Sequence, residues 1–136
     1  MAFLLDTNVV SELRKSVPHP QVARWHAANS EAVVYLSTLV IGEIRRGIDR
    51  LRLRDVKQAD LLERWLAGLT ASYREKLLPV THQVAAEWGR LSATAQPPPV
   101  IDGLMAATAS VHGLTLVTRN VADVDRTGVS VVNPFD

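Results

Sequence analysis

The feature that most constrains this chain is a set of short apolar runs without polar alternation, separated by longer amphipathic patterns. A strand that is apolar at every position has to be buried on both faces, as in a parallel sheet covered by helices. The pattern therefore predicts an α/β fold, with a helix start near Asn8 after the first run. Strands are predicted at Ala2–Leu5, Val33–Leu36, Leu77–Val80, Thr115–Val117 and Val129–Val132, and further helices at 20–28, 38–53, 56–73, 82–95 and 101–112.

Length and composition narrow the classes of protein. A chain of 136 residues has room for one core, so we predict a single domain over residues 1–136. The absence of cysteine excludes disulfides, thiol catalysis and zinc–thiolate sites, and it favours a cytoplasmic protein. Asp6 interrupts the first apolar run, so we expect neither a signal peptide nor a membrane span. The formal net charge of +1 means that nucleic acid would be bound by local basic patches.

Four carboxylates occupy positions that a parallel sheet brings to one edge. Asp6 follows the first predicted strand, and Asp123 follows the fourth. Glu43 lies in the second turn of the helix after the second strand, and Asp102 opens the helix that leads into the fourth. Ligands of α/β sheets bind at the carboxyl ends of the strands. Hard oxygen ligands of this kind suit Mg²⁺ or Mn²⁺, which can activate water for phosphodiester cleavage.

Each acid also has a purely structural interpretation. Asp6 could cap the helix that starts near Asn8, and Asp102 could be favoured by the helix dipole. Asp123 could belong to an ordinary polar loop, and Glu43 could be solvated. The coincidence of all four at one edge favours the metal site, because converging carboxylates repel one another unless a cation is present.

The predicted helix over 38–53 has two distinct faces. An apolar seam at helical spacing predicts contact with the core. Glu43 lies about 120° away from the centre of that seam, on a face that continues with arginines. Taken alone, such a face indicates solvent exposure with a Glu43–Arg46 pair. The seam consists of Ile41, Ile44, Ile48 and Leu51, and the arginines are Arg46, Arg50 and Arg54.

These residues carry a family resemblance. An Asp-Thr-Asn motif alone is not specific. The succession of three motifs is specific: Asp-Thr-Asn, then Gly-Glu on a helix, then the long motif that starts at Asp102. The chain resembles PIN-domain ribonucleases, and among them the VapC-type toxins of type II toxin–antitoxin pairs, on the FitB-like side of that group. The matching segments are FLLDTNVVSELRK at 3–15, STLVIGEIRRGI at 37–48, IDGLMAATASVHGLTLVTRN at 101–120 and VSVVNPF at 129–135.

The resemblance implies a small parallel sheet in the order 3-2-1-4-5 with helices on both faces. It also implies an endoribonuclease that depends on Mg²⁺ or Mn²⁺. Asp6 and Asp102 would bind the main metal ion, and Glu43 and Asp123 would complete the site or recruit a second ion. The polar residues that would support the acids are Asn8, Thr118 and Asn120, and the candidate contacts to RNA phosphates are Arg46 and Arg50.

The same resemblance implies partners. They are an RNA substrate and a cognate VapB-type antitoxin, and the toxin would reach operator DNA only through that antitoxin. The free protein would be a homodimer that joins the antitoxin in a larger heteromer, and an antitoxin arginine would enter the acid pocket. The alternative is a weakly catalytic or non-catalytic FitB-like module that acts with its antitoxin as a regulator bound to operator DNA.

The chain departs from the family pattern in three places. Val124 stands where phenylalanine is common, and Asn120 stands where many relatives have a further aspartate. The fourth acidic position could therefore be Asp123 or Asn120. Gly103 replaces the usual alanine and is predicted to loosen the start of its helix by about 1 kcal/mol. The histidines show neither metal-ligand nor triad spacing, and their positions are 19, 26, 82 and 112.

Overall fold

Five short parallel strands form the sheet of this protein, seen in a computed structural model that describes residues 1–136. The strand order is β3-β2-β1-β4-β5, and every neighbouring pair is parallel. The predicted α/β class and strand order are thus confirmed, and the direction of winding reverses between β1 and β4. The strands are β1 Ala2–Leu5, β2 Val33–Ser37, β3 Leu77–Leu78, β4 Thr115–Val117 and β5 Val131–Val132.

Seven helices surround the sheet. Five of them, α2 to α6, agree with the predicted helical segments within three residues at each end, and α1 begins one residue before the helix start predicted near Asn8. The seventh was not predicted, because four residues are too few to produce a helical period. The helices are α1 Thr7–Arg14, α2 Pro20–Ala28, α3 Thr38–Arg52, α4 Val56–Ser72, α5 His82–Ser92, α6 Val100–His112 and α7 Val121–Val124, with 3₁₀ turns at Arg74–Lys76 and Asp125–Thr127.

The central strand β1 is buried on both faces. Phe3, Leu4 and Leu5 are at most 3% exposed. Because successive strand residues point to opposite faces, helices must cover both sides of the sheet, as predicted. On one side the Phe3 ring meets Trp25 of α2 edge to face, with ring centroids 5.1 Å apart.

The two edge strands are shorter than predicted. Only Leu77 and Leu78 of the segment predicted at Leu77–Val80 pair with β2, and only Val131 and Val132 of the last segment pair with β4. Pro79 follows β3 directly and has no N–H to donate to the ladder, which accounts for the early end of that strand.

The apolar face of α3 differs in detail from the predicted seam. Val40 is fully buried together with Ile48, and Ile44 is nearly so, whereas Ile41 and Leu51 are only partly buried. The buried residues are thus spaced four apart, and the face turned to the core is rotated from the predicted one.

The charged residues of α3 contact two different helices, α4 and α1. Arg45 and Arg52 form ion pairs with Glu63 of α4, and they tie the two helices together. The predicted Glu43–Arg46 pair does not form; Glu43 instead accepts a hydrogen bond from Thr7 of α1. The pattern could not distinguish these outcomes, because it does not say which helix packs against which face.

The apolar residues of α4 and α5 contribute to the core. Leu66 of α4 and Val84 and Leu91 of α5 are buried, while Trp65 and Trp88 are partly buried against the same cluster. No helix of this structure combines the length and the apolar character needed to cross a membrane.

Candidate active site

The site forms where β1 and β4 end side by side. The Asp6 N–H donates to the carbonyl of Val117 at 2.9 Å, and the Thr118 N–H donates to the carbonyl of Val132 at 2.9 Å. Each residue therefore continues the sheet ladder one step beyond its strand. This extension places the side chains of Asp6 and Thr118 next to each other at the switch between the two halves of the sheet.

Asp6 is the most tightly held of the four acids. Its side chain is nearly buried, and it accepts hydrogen bonds from the Thr7 N–H at 2.7 Å, the Thr118 hydroxyl at 2.7 Å and the Asn8 amide at 3.3 Å. Its carbonyl also accepts the N–H groups of Val9 and Val10 as the N-cap of α1. The capping interpretation and the site interpretation therefore apply to the same residue.

A polar network links the loops that follow β1 and β4. The buried Thr118 hydroxyl accepts the Asn120 N–H at 3.0 Å and the Asn8 amide at 3.4 Å. The Asn8 side-chain oxygen accepts the Arg119 N–H at 3.2 Å. Of the three predicted supporting residues, Asn8 and Thr118 therefore contact Asp6 directly, and Asn120 contacts Thr118.

Glu43 reaches the site from α3. Its Oε1 accepts a hydrogen bond from the Thr7 hydroxyl at 2.6 Å, which joins the first turn of α1 to the second turn of α3. Sequence reasoning did not single out Thr7, although the Asp-Thr-Asn motif contained it. The position of the Thr7 hydroxyl next to Asp6 was the only signal in the sequence. It could not reveal Glu43 as the partner, because Glu43 lies 36 residues away.

The two candidate phosphate contacts are placed differently. Arg46 lines a cleft together with Glu43 and with Ile101, the neighbour of Asp102. Arg50 is exposed farther along α3 and does not share that cleft. Neither arginine forms an ion pair.

Asp102 lies within the electrostatic influence of the other three acids. It lies in the first turn of α6, where it is partly buried. Burial, and then the charges of Asp6 and Asp123, raise the pKa of Asp102 to about 6, and Glu43 adds a weaker effect. The nearby Asn120 side chain acts in the opposite direction. The charges that raise this pKa are all carboxylates.

Asp123 contributes to the site from the segment after β4, and its charge acts on Asp102. It lies in α7, is exposed, and also borders an open cleft next to the Pro97–Pro99 connector. Its helical setting differs from the loop considered for it in the sequence. Asn120 is the N-cap position of that helix and makes no side-chain cap hydrogen bond. Both candidates for the fourth acidic position therefore border the same region.

The donor set fits a hard divalent cation. No group of three or more His, Asp and Glu side chains is arranged to hold a metal ion by itself. Mg²⁺ does not require such a group, because it commonly keeps several waters and binds one or two carboxylates together with substrate phosphate. Burial is the largest cause of the raised pKa of Asp102, and the repulsion from Asp6, Asp123 and Glu43 that adds to it is one that a divalent cation would relieve.

Comparison with known proteins identifies the family. The PIN-domain family profile matches residues 3–128. Toxin FitB of Neisseria gonorrhoeae is 33% identical over 97% of each chain, and the VapC ribonuclease Y4jK of Sinorhizobium fredii is 29% identical over 98% of this chain and 97% of its own. The solved structure of FitAB bound to an IR36 DNA fragment superposes with a TM-score of 0.85 and 28% identity, covering 98% of this chain and 96% of that one. This chain therefore belongs to the PIN-domain family, in the group that contains the FitB and VapC toxins.

Proposed function

We propose that this protein is a divalent-metal-dependent endoribonuclease and the toxin of a type II toxin–antitoxin pair. The observation that supports the proposal is the site beside the ends of β1 and β4, where burial and then the charges of Asp6, Asp123 and Glu43 raise the pKa of Asp102 to about 6. A core without a ligand has no need for this repulsion. A relative named as a ribonuclease gives the proposal its reaction class.

The residues divide into ligands and supports. Asp6 and Asp102 would hold Mg²⁺ or Mn²⁺, with Glu43 and Asp123 completing the site or recruiting a second ion. A bound divalent cation would supply an activated water and would stabilise the leaving oxygen of the cleaved phosphodiester.

The supporting residues fix the ligands before substrate arrives. Thr118 and Asn8 donate to the same Asp6 oxygen, so this carboxylate cannot rotate freely. Thr7 occupies Oε1 of Glu43 and leaves Oε2 without a donor from the protein. That oxygen would be available to a metal ion or to a water molecule. Such preorganisation reduces the rearrangement needed during the reaction.

The partners belong to the same proposal. FitB is named a toxin, and FitAB has been solved on DNA. We propose that a VapB-type antitoxin binds this chain, inserts an arginine among the acids, and provides the only contact with operator DNA. A homodimer in the free state and a cytoplasmic location complete this picture.

The test is cleavage of total RNA by antitoxin-free protein with Mg²⁺ or Mn²⁺. Discrete fragments should form, and they should disappear with EDTA and in the Asp102→Asn variant. Glu31→Gln provides a matched loss of one negative charge at an exposed position and should leave cleavage unchanged. Asp102→Asn with full activity would refute the site assignment. Absence of fragments from folded, metal-supplied protein would favour the alternative, a FitB-like DNA-regulatory module without significant catalysis.

A further inference from the structure

Arg119 lies at the edge of the acid site, next to the polar network that holds Asp6. It lies between Thr118, which holds Asp6, and Asn120, which influences Asp102. Its backbone N–H is fixed by the Asn8 side chain at 3.2 Å, whereas its side chain is exposed. The start of the Arg119 side chain is therefore located by the same network that orients the acids.

The Arg119 guanidinium rests on an aromatic ring. Its Cζ lies 4.4 Å from the centroid of Phe135, which follows β5. Phe135 is held in turn by His19, edge to face at 5.4 Å, and by a backbone hydrogen bond to the Asn133 side chain at 3.0 Å. An arginine stacked on a fixed ring loses less rotamer freedom when it binds a ligand than an arginine that moves in solvent.

Arg119 forms no ion pair, although acids lie close to its backbone. Other arginines of this protein are occupied by carboxylates, among them Arg45, Arg52 and Arg90. Stacking on Phe135 instead leaves the N–H groups of the Arg119 guanidinium without a protein acceptor. Such a group is suited to a bidentate contact with a phosphate.

We propose that Arg119 binds a phosphate of the RNA strand next to the bond that is cleaved, and that Phe135 is the positioning residue that directs it. This inference rests on the proposed ribonuclease function and adds a substrate contact to it. An unpaired cation at the rim of a cluster of carboxylates would offset the repulsion between those carboxylates and the phosphate backbone.

The test measures binding of a fluorescent single-stranded RNA in the Asp102→Asn background, in which the strand should stay intact. Arg119→Gln should weaken binding about tenfold or more, because it removes a charge-assisted bidentate contact with the phosphate. The slope of log K against log salt concentration should become shallower by about 0.7, as expected for one lost phosphate contact on a single strand. Arg119→Lys should keep most of the slope, because it keeps the charge. Arg24→Gln removes an exposed, unpaired arginine of α2 and should change neither quantity.

Variants of Phe135 test the positioning role. Phe135→Leu should weaken RNA binding, and Phe135→Tyr should restore it, while both variants keep the melting temperature within a few degrees of the parent. In the protein with Asp102 intact, Arg119→Gln should raise KM much more than it lowers kcat, because the contact is made by bound substrate in its ground state.

The outcomes separate this inference from the proposed function. If wild-type protein cleaves RNA but Arg119→Gln matches Arg24→Gln in affinity and salt slope, the phosphate contact is refuted and the ribonuclease stands. If wild-type protein binds RNA through Arg119 but yields no metal-dependent fragments, the phosphate contact stands and the ribonuclease proposal fails.

Discussion

Neutralising Asp102 should stabilise the fold while it removes activity. The folded protein keeps a proton on this carboxyl up to about pH 6, whereas an ordinary aspartate releases it near 3.8. Between these values the folded state binds more protons than the unfolded state, so stability falls as the pH rises through this window. Above about pH 6 the folded protein bears the full cost of the charge, and Asp102→Asn should remove that cost.

The size of the effect follows from the shift. A displacement of about two pKa units corresponds to about 3 kcal/mol if all of it is differential free energy. Asp102 is only partly buried, and solvent screening reduces that figure. We therefore expect Asp102→Asn to be more stable by about 1 kcal/mol at pH 7.5, or about 3–5 °C in melting temperature for a chain of this length.

Urea unfolding of both proteins between pH 4 and pH 8 measures this difference. The two curves should converge near pH 4 and separate as the pH approaches 6, and Mg²⁺ should stabilise wild type more than the variant. Glu31→Gln controls for the general effect of one lost charge and should follow wild type. A variant that is less stable at pH 7.5, or a gain that does not depend on pH, would refute the claim that burial and neighbouring carboxylates destabilise the charged form of Asp102.

Two further predictions concern stability, and each has a matched control. Thr118→Val removes a buried hydroxyl that donates to Asp6, and it should cost about 1–3 kcal/mol of unfolding free energy in urea, together with most of the cleavage activity. Thr108→Val removes an equally buried hydroxyl that bonds only within its own helix, so equal losses in the two variants would contradict the role of the Asp6 contact. Gly103→Ala should destabilise, although alanine favours helices by about 1 kcal/mol, because the new Cβ would lie 3.1 Å from the Trp88 ring and 3.2 Å from Pro98. Gly47→Ala, in the interior of α3 with open space around it, should raise the melting temperature, and a rise for Gly103→Ala as well would show that Trp88 yields easily.

The sequence predicted the frame of the fold because that frame depends on local periodicity. The uninterrupted apolar runs located β1, β2 and β4 nearly residue for residue, and the order of the strands came from the family resemblance. The ends of β3 and β5 could not be located in the same way, since an edge strand ends where its single neighbour stops pairing. The apolar face of α3 was misjudged by one position, because Val40 and Ile41 are equally apolar and only the packing selects between them.

The sequence was sufficient to propose the candidate acids, but it did not identify the residues that contact them. The carboxyl ends of parallel strands share one edge, which brought Asp6, Glu43, Asp102 and Asp123 into consideration without a structure. The hydrogen bond from Thr7 to Glu43 and the stack of Arg119 on Phe135 join residues that are far apart in the chain. Nothing in the local pattern identifies such pairs. Their ligand and substrate roles remain predictions for the experiments above.

The double duty of Asp6 affects how loss-of-function variants can be interpreted. The carboxylate that would bind metal belongs to the N-cap residue of α1. It also accepts the hydrogen bond of the Thr118 hydroxyl, just after β4. A genetic selection for inactive chains would therefore recover Asp6 substitutions for two reasons. They would remove the metal ligand, and the same change would lower the amount of folded protein. Abundance has to be measured beside activity for that class of variant. Inactive protein intended for capturing RNA or an antitoxin is better made at Asp102, where the same chemistry is removed and the helix start does not depend on a side-chain cap.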